Sequence, residues 1–159
     1  MPRITSSADR IIDADAAAVW AALTDYSGAR AQILPDNYEG YKAERDPIGG
    51  AAILSFTLKA GGRERAYRME VVENEPSQML TERDLASTYT TRWKIEHVGP
   101  GAHVRVRLSS EWESRATGIG GFFERRFAPR GVQRIHQETL IRLGRLMRER
   151  QESLAGQHG

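Results

Sequence analysis

The sequence predicts an α+β fold: a curved, seven-stranded antiparallel sheet with two short helices and a long C-terminal helix, together enclosing a cavity. Three observations carry this reading. Apolar residues alternate with period two in segments up to Glu113, and the period changes once, between Ser114 and Gly118, to 3.6 residues. The connections between successive strand segments are short turns, which join antiparallel neighbours and leave no room for crossovers. A sheet wrapped around one long helix curls further than the helix can fill, so a hollow remains between them.

The elements follow in order. Ile4 to Ile12 reads as a first strand, and Asp13 or Asp15 can cap the helix after it, because an Asx side chain accepts from the free N–H groups of a first turn. That helix, Ala16 to Leu23, sets Val19, Trp20 and Leu23 on one face, with Trp20 reading as core. A second helical turn, about Ser27 to Leu34, stops before Pro35. Six strand segments come next, each closed by a turn signal. They are Tyr38 to Arg45, Ala52 to Lys59, Glu64 to Glu73, Met79 to Asp84, Thr88 to His97 and His103 to Glu113. The last two alternate most clearly: Tyr89, Thr91, Trp93 and Ile95 point inward, as do Val104, Val106, Leu108, Ser110 and Trp112. In the final third, Ile119, Phe122, Phe123 and Phe127 begin a helical stripe that Val132, Ile135, His136, Thr139, Leu140, Leu143 and Met147 continue. Pro129 lacks an N–H and Gly131 adds backbone freedom, so a kink or break is expected there, separating a short helix that could act as a lid from a long one reaching about Gln151.

Composition bounds the function. The chain has 159 residues, 40% hydrophobic and 28% charged, which suits one domain with a core and a cavity, expected over residues 1–152 with a disordered tail at 153–159. With 23 basic against 21 acidic residues, the net charge of +2 does not suggest nucleic-acid binding. Absence of cysteine excludes disulfides, iron–sulfur clusters, cysteine-ligated zinc and thiol catalysis. No apolar run approaches the roughly 18 residues of a membrane span, and no signal-peptide pattern follows Met1, so a cytoplasmic protein is expected.

At this point the residues carry a resemblance. The stretch Ala14-Asp15-Ala16-Ala17-Ala18-Val19-Trp20-Ala21-Ala22-Leu23-Thr24-Asp25 resembles the opening segment of the START-like, polyketide cyclase/dehydrase (SRPBCC) superfamily. So do the turn Pro47-Ile48-Gly49-Gly50, the segment Val71-Val72-Glu73-Asn74-Glu75-Pro76, and Thr91-Arg92-Trp93. Each motif is weak alone; their order and spacing across the whole chain are specific for the fold. The resemblance implies a helix-grip fold with a ligand cavity but not one activity, since members range from lipid carriers to aromatase/cyclases and chaperone activators.

Chemistry-bearing residues are few. Among the four histidines only His136 lies on the apolar stripe, where it either contacts a ligand in the hollow or is satisfied by a neighbour. No His-Glu-x-x-His or other metal-ligand spacing occurs, so no metal and no cofactor are expected. Phe56, Tyr67, Met69, Tyr89, Thr91, Trp93, Trp112, Phe122, Phe123, His136 and Leu140 are the candidate ligand-binding residues, an apolar lining with a few polar handles that could equally fill a core. Glu82 and Asp84 face inward together in one register of their strand. In the other, Arg83 does, and the pattern fits both. Gly118-Ile119-Gly120-Gly121 lacks a following Gly-Lys-Ser/Thr and is not a phosphate loop. The basic C-terminal third reads as a solvated helix face.

The expected function is binding of a hydrophobic or aromatic small molecule in the cavity, for transport or sequestration, by a monomer or homodimer. The alternative is a polyketide aromatase/cyclase acting on a ligand in the same cavity. Against that pattern, Tyr26-Ser27-Gly28-Ala29-Arg30 lacks the Trp-Pro-containing segment usual after the first helix, and no catalytic residue stands out.

Overall fold

A computed structural model describes residues 3–45, 51–114 and 118–157, with the side chains of 118–127 and 157 outside the description. The element order is β1 (Arg3–Ile12), α1 (Ala16–Thr24), α2 (Ala29–Gln32), β2 (Tyr38–Arg45), β3 (Ala52–Ala60), β4 (Arg63–Asn74), β5 (Met79–Asp84), β6 (Thr90–His97), β7 (Val104–Glu113) and α3 (Gly118–Gln157). The order of elements is the expected one. Their ends shift by a few residues, and α2 is shorter than the Ser27–Leu34 turn expected. The Pro47–Gly50 turn lies outside the described residues.

All seven strands form one curved antiparallel sheet in the order β1-β7-β6-β5-β4-β3-β2. Consecutive strands from β2 to β7 pair as hairpins, while β1 closes onto β7 in unbroken register from Arg3↔Glu113 to Ile12↔Val104. Period-two patterning places Val104, Val106, Leu108 and Ser110 of β7 inside, beside Thr91, Trp93 and Ile95 of β6. On β5 the inward residues are Leu80, Glu82 and Asp84, which settles the register; Arg83 is exposed.

Asp15 caps α1, its Oδ1 accepting from the Ala18 N–H at 2.7 Å, and the helix buries Val19, Trp20, Ala22 and Leu23 in the core. Such a cap is worth about 1 kcal/mol. The chain then turns sharply at Gly28 (φ −105°, ψ −104°), where a side chain would run into the Asp25 carboxylate. Asp25 Oδ2 in turn accepts from the Ala29 N–H at 3.0 Å, which fixes the start of α2.

The expected break at Pro129 does not occur: α3 is a single helix with Pro129 inside it. Proline removes one helical hydrogen bond and crowds the preceding turn, at roughly 3 kcal/mol. Contacts along the helix offset that cost. Ser6 Oγ donates to the Pro129 carbonyl at 2.6 Å, and Gln151 Nε2 donates to the Asp13 carbonyl at 2.6 Å, so β1 and the residue that follows it hold α3 at two distant points. Between them Val132, Ile135, Leu140, Leu143 and Met147 are buried, and Gly144 lets the helix approach Ile12. The helix continues past residue 152 to Gln157. Among the described residues no helix is long and apolar enough to cross a membrane.

Candidate functional site: an aromatic row between two chambers

A row of aromatic rings crosses the concave side of the sheet. Tyr38, Phe56, Tyr67, Tyr89 and Trp112 follow one another with ring centroids 5.0, 5.8, 4.8 and 5.9 Å apart, in edge-on or tilted contact. These residues come from β2, β3, β4, the approach to β6, and β7. Antiparallel register makes such a row possible: Phe56 pairs directly with Tyr67 across β3 and β4.

The row divides the hollow. On its outer side an open groove of about 530 Å³ is bordered by Tyr67, Tyr89 and Trp112, by Leu58 and Val132, and by Arg63 and Arg65. On its inner side a small chamber of about 20 Å³ is bordered by Phe56, Met69, Tyr89, Thr91, Trp93 and His136, and by Arg30, Glu82, Tyr38 and Tyr41. Tyr89 borders both. The outer groove suits a drug-sized molecule, whereas the inner chamber has room for about one oxygen-sized group.

The inner chamber is polar at its base. Arg30, on α2, reaches Glu82 of β5 at 2.6 Å, with side chains only 4% and 5% exposed. The Arg30 Nη1 also donates to the Leu23 carbonyl at 3.2 Å, and its guanidinium lies 4.6 Å from the centre of the Trp93 ring. Burial alone would lower the Arg30 pKa, but the Glu82 carboxylate together with the Tyr41 and Tyr26 phenols holds the guanidinium above its ordinary range. Asp84 is satisfied differently, by the Ser87 hydroxyl and the Arg68 N–H. Burial also raises the pKa of the surrounding phenols, pushing Tyr41 and Tyr67 up to about 12, so they stay neutral donors at ordinary pH.

Opposite the ion pair, Ser110 Oγ forms the centre of a hydroxyl cluster. It lies 2.7 Å from His136 Nε2, 2.9 Å from Thr91 Oγ1 and 3.1 Å from the Tyr89 hydroxyl. His136 is 1% exposed, and desolvation pushes its pKa down to about 4, so the imidazole is neutral. His97 is exposed, and His103 pairs on the surface with Asp13 at 2.8 Å. Among the described residues no cluster of three or more potential ligands could hold a metal ion.

Of the expected site residues, Phe56, Met69, Tyr89, Thr91, Trp93 and His136 meet at the inner chamber, and Tyr67 and Trp112 at the outer groove. Leu140 is buried core and borders neither, while the Phe122 and Phe123 side chains lie outside the described residues. Sequence reasoning missed Arg30, Tyr38 and Tyr41. The one available signal was an arginine set between Ala29 and Ile33, both of which are buried.

A curved sheet gripping one helix over a divided hollow defines a helix-grip domain built around an internal cavity. The chain belongs to the family described as polyketide cyclase / dehydrase and lipid transport, whose profile matches residues 2–148. It is similar to KanY, a protein known from a solution NMR structure, with 31% identity and a TM-score of 0.77 over 93% of this chain and 99% of that one. Zhui aromatase/cyclase from Streptomyces sp. R1128 has the same fold at 14% identity, with a TM-score of 0.76 over 94% of this chain and 96% of that one. So does norcoclaurine synthase from Thalictrum flavum, at 14% identity and a TM-score of 0.72 over 94% and 97% of the two chains. No curated protein sequence matches the chain significantly.

Proposed function

We propose that this protein binds a planar, hydrophobic small molecule, which lies in the outer groove against the aromatic row and is roofed by α3. The observation that carries the reading is the row itself. Five rings in successive contact, of which Tyr67, Tyr89 and Trp112 open on a groove of about 530 Å³, offer a ring-shaped ligand both area and edge-to-face partners.

Binding accounts for the site better than catalysis by an aromatase/cyclase does. A cyclase or dehydrase needs a positioned acid or base with a proton to exchange. Here Glu82 is committed to Arg30, Asp84 to Ser87 and Arg68, and His136 is held neutral with a pKa of about 4 and a hydrogen bond to Ser110. The Zhui enzyme shares the fold, and at 14% identity the likeness carries no activity over.

Trp112 ends the row, is half-buried and borders the groove, so it is the natural reporter. Titration with naphthalene- and anthracene-sized ligands should change intrinsic fluorescence saturably, and Trp112→Phe should remove most of that change. A panel without any saturable response, or a response undiminished in Trp112→Phe, would refute the reading.

A further inference from the structure

Among the described residues, three buried nitrogens on side chains that border the inner chamber have no hydrogen-bond partner: Arg30 Nε, Trp93 Nε1 and His136 Nδ1. Leaving one such group unpaired in an interior is unfavourable, and three around one small space are a pattern that asks for a common occupant.

The chemistry of that occupant follows from proton counting. Arg30 Nε and Trp93 Nε1 each carry a hydrogen and accept nothing. His136 Nδ1 could be either donor or acceptor, and one arrangement of the cluster around Ser110 uses every hydroxyl hydrogen. The Tyr89 and Thr91 hydroxyls both lie within hydrogen-bond distance of Ser110 Oγ, which has two lone pairs and one hydrogen. If both donate to those lone pairs, the Ser110 hydrogen goes to His136 Nε2 at 2.7 Å, and every hydroxyl in the cluster is used. Nε2 is then the acceptor of the neutral ring, and the ring's one hydrogen sits on Nδ1. In that arrangement all three unpartnered nitrogens are donors.

We infer that the inner chamber is a binding site for a single acceptor oxygen of the ligand, a ketone or aldehyde carbonyl carried directly on the planar ring system. The inference rests on the aromatic-row reading and deepens it. A chamber of about 20 Å³ admits one oxygen and no ring. The unpartnered groups are donors and favour a lone pair, while the one carboxylate that borders the chamber, Glu82, is already paired with Arg30. Tyr89 stands between groove and chamber, so a ring seated on Tyr67 and Trp112 directs a substituent past Tyr89 toward Arg30, Trp93 and His136. A hydrocarbon of the same shape fills the groove and leaves the donors unpaired.

The test compares 2-acetylnaphthalene with 2-ethylnaphthalene, which differ in the oxygen and little in shape, by titration calorimetry at pH 7. The ketone should bind about tenfold more tightly to the unmodified protein, as expected for hydrogen bonds from buried donors including an arginine. In Trp93→Phe, which keeps an aromatic ring and deletes the N–H, the ratio of the two affinities should fall toward about threefold. A readout that needs no substitution is the infrared stretch of the ¹³C-labelled carbonyl, which should lie at lower wavenumber in the complex than in an apolar solvent. Equal affinities for the two probes, or a carbonyl stretch matching that in apolar solvent, would overturn the inference, leave the aromatic-row reading in place and assign the chamber to water. If neither probe binds, the aromatic-row reading falls, and this inference falls with it.

Discussion

Glu82→Leu should be among the most damaging single substitutions in the molecule. It leaves the Arg30 guanidinium, 4% exposed, with the Leu23 carbonyl and the Trp93 ring face as its remaining partners. Arginine does not shed its proton at accessible pH, so the charge stays buried and unpaired. Removing one partner of a buried pair costs about 3–5 kcal/mol. At roughly 2–4 °C per kcal/mol for a chain of this size, the melting temperature should fall by about 6–20 °C. The pair itself is worth much less than that cost, because taking both ions out of water offsets most of their attraction. The double substitution Arg30→Met, Glu82→Leu should therefore recover to within about 2 kcal/mol of the starting stability. Urea unfolding of all four proteins at pH 7, followed by circular dichroism and compared at constant m, measures the cycle. If Glu82→Leu costs less than about 1 kcal/mol, or the two single losses simply add in the double, the ion pair is not the buried, mutually dependent pair described here.

Two further outcomes are expected. Because desolvation lowers the His136 pKa from 6.5 to about 4, the unfolded chain binds a proton that the native chain refuses between those values. Stability should therefore fall by roughly 3 kcal/mol as pH drops from above 6.5 to about 4, and His136→Gln should flatten that slope; equal slopes in both proteins would contradict the assignment. Gly28→Ala should destabilise by about 1–3 kcal/mol, because a methyl group would push the Asp25 carboxylate off the Ala29 N–H, and an unchanged urea midpoint would show that the turn can relax.

The strands were legible because their burial is one-sided: Val104, Val106 and Leu108 alternate with Arg105, Arg107 and Ser109 across a water–core boundary, and no helix tolerates that spacing. The Asp15 cap was legible for a local reason, an acceptor three residues from the N–H it serves. The polar half of the site was not. Thr81, Glu82, Arg83 and Asp84 have a polar residue at each position, so either register gives the same pattern. The choice depends on Arg30, which lies 52 residues upstream on a four-residue helix. Continuity through Pro129 was hidden in the same way, since Ser6, which takes the Pro129 carbonyl, is 123 residues away. The candidate lining was legible as a composition of inward aromatics. Its division into two chambers depends on ring orientations at four successive contacts, which periodicity does not encode.

The pairing of β1 with β7 has a consequence for how the molecule comes into being. Strands β2 to β7 each find a partner next to them in the chain, and β2, at the free edge, carries Glu39, Lys42, Glu44 and Arg45, charges that discourage pairing with other molecules. Strand β1 has no such neighbour. It waits for the segment Val104–Glu113, and then for the helix whose proline carbonyl Ser6 will hold. Loop closure over that separation is slow compared with forming hairpins. The hollow therefore acquires its roof and its last wall in the same closing event, and a partly synthesised chain has a floor of aromatic rings with nothing above it. Until α3 docks those rings face solvent, which makes that interval the period in which this domain is most exposed to aggregation and to chaperones.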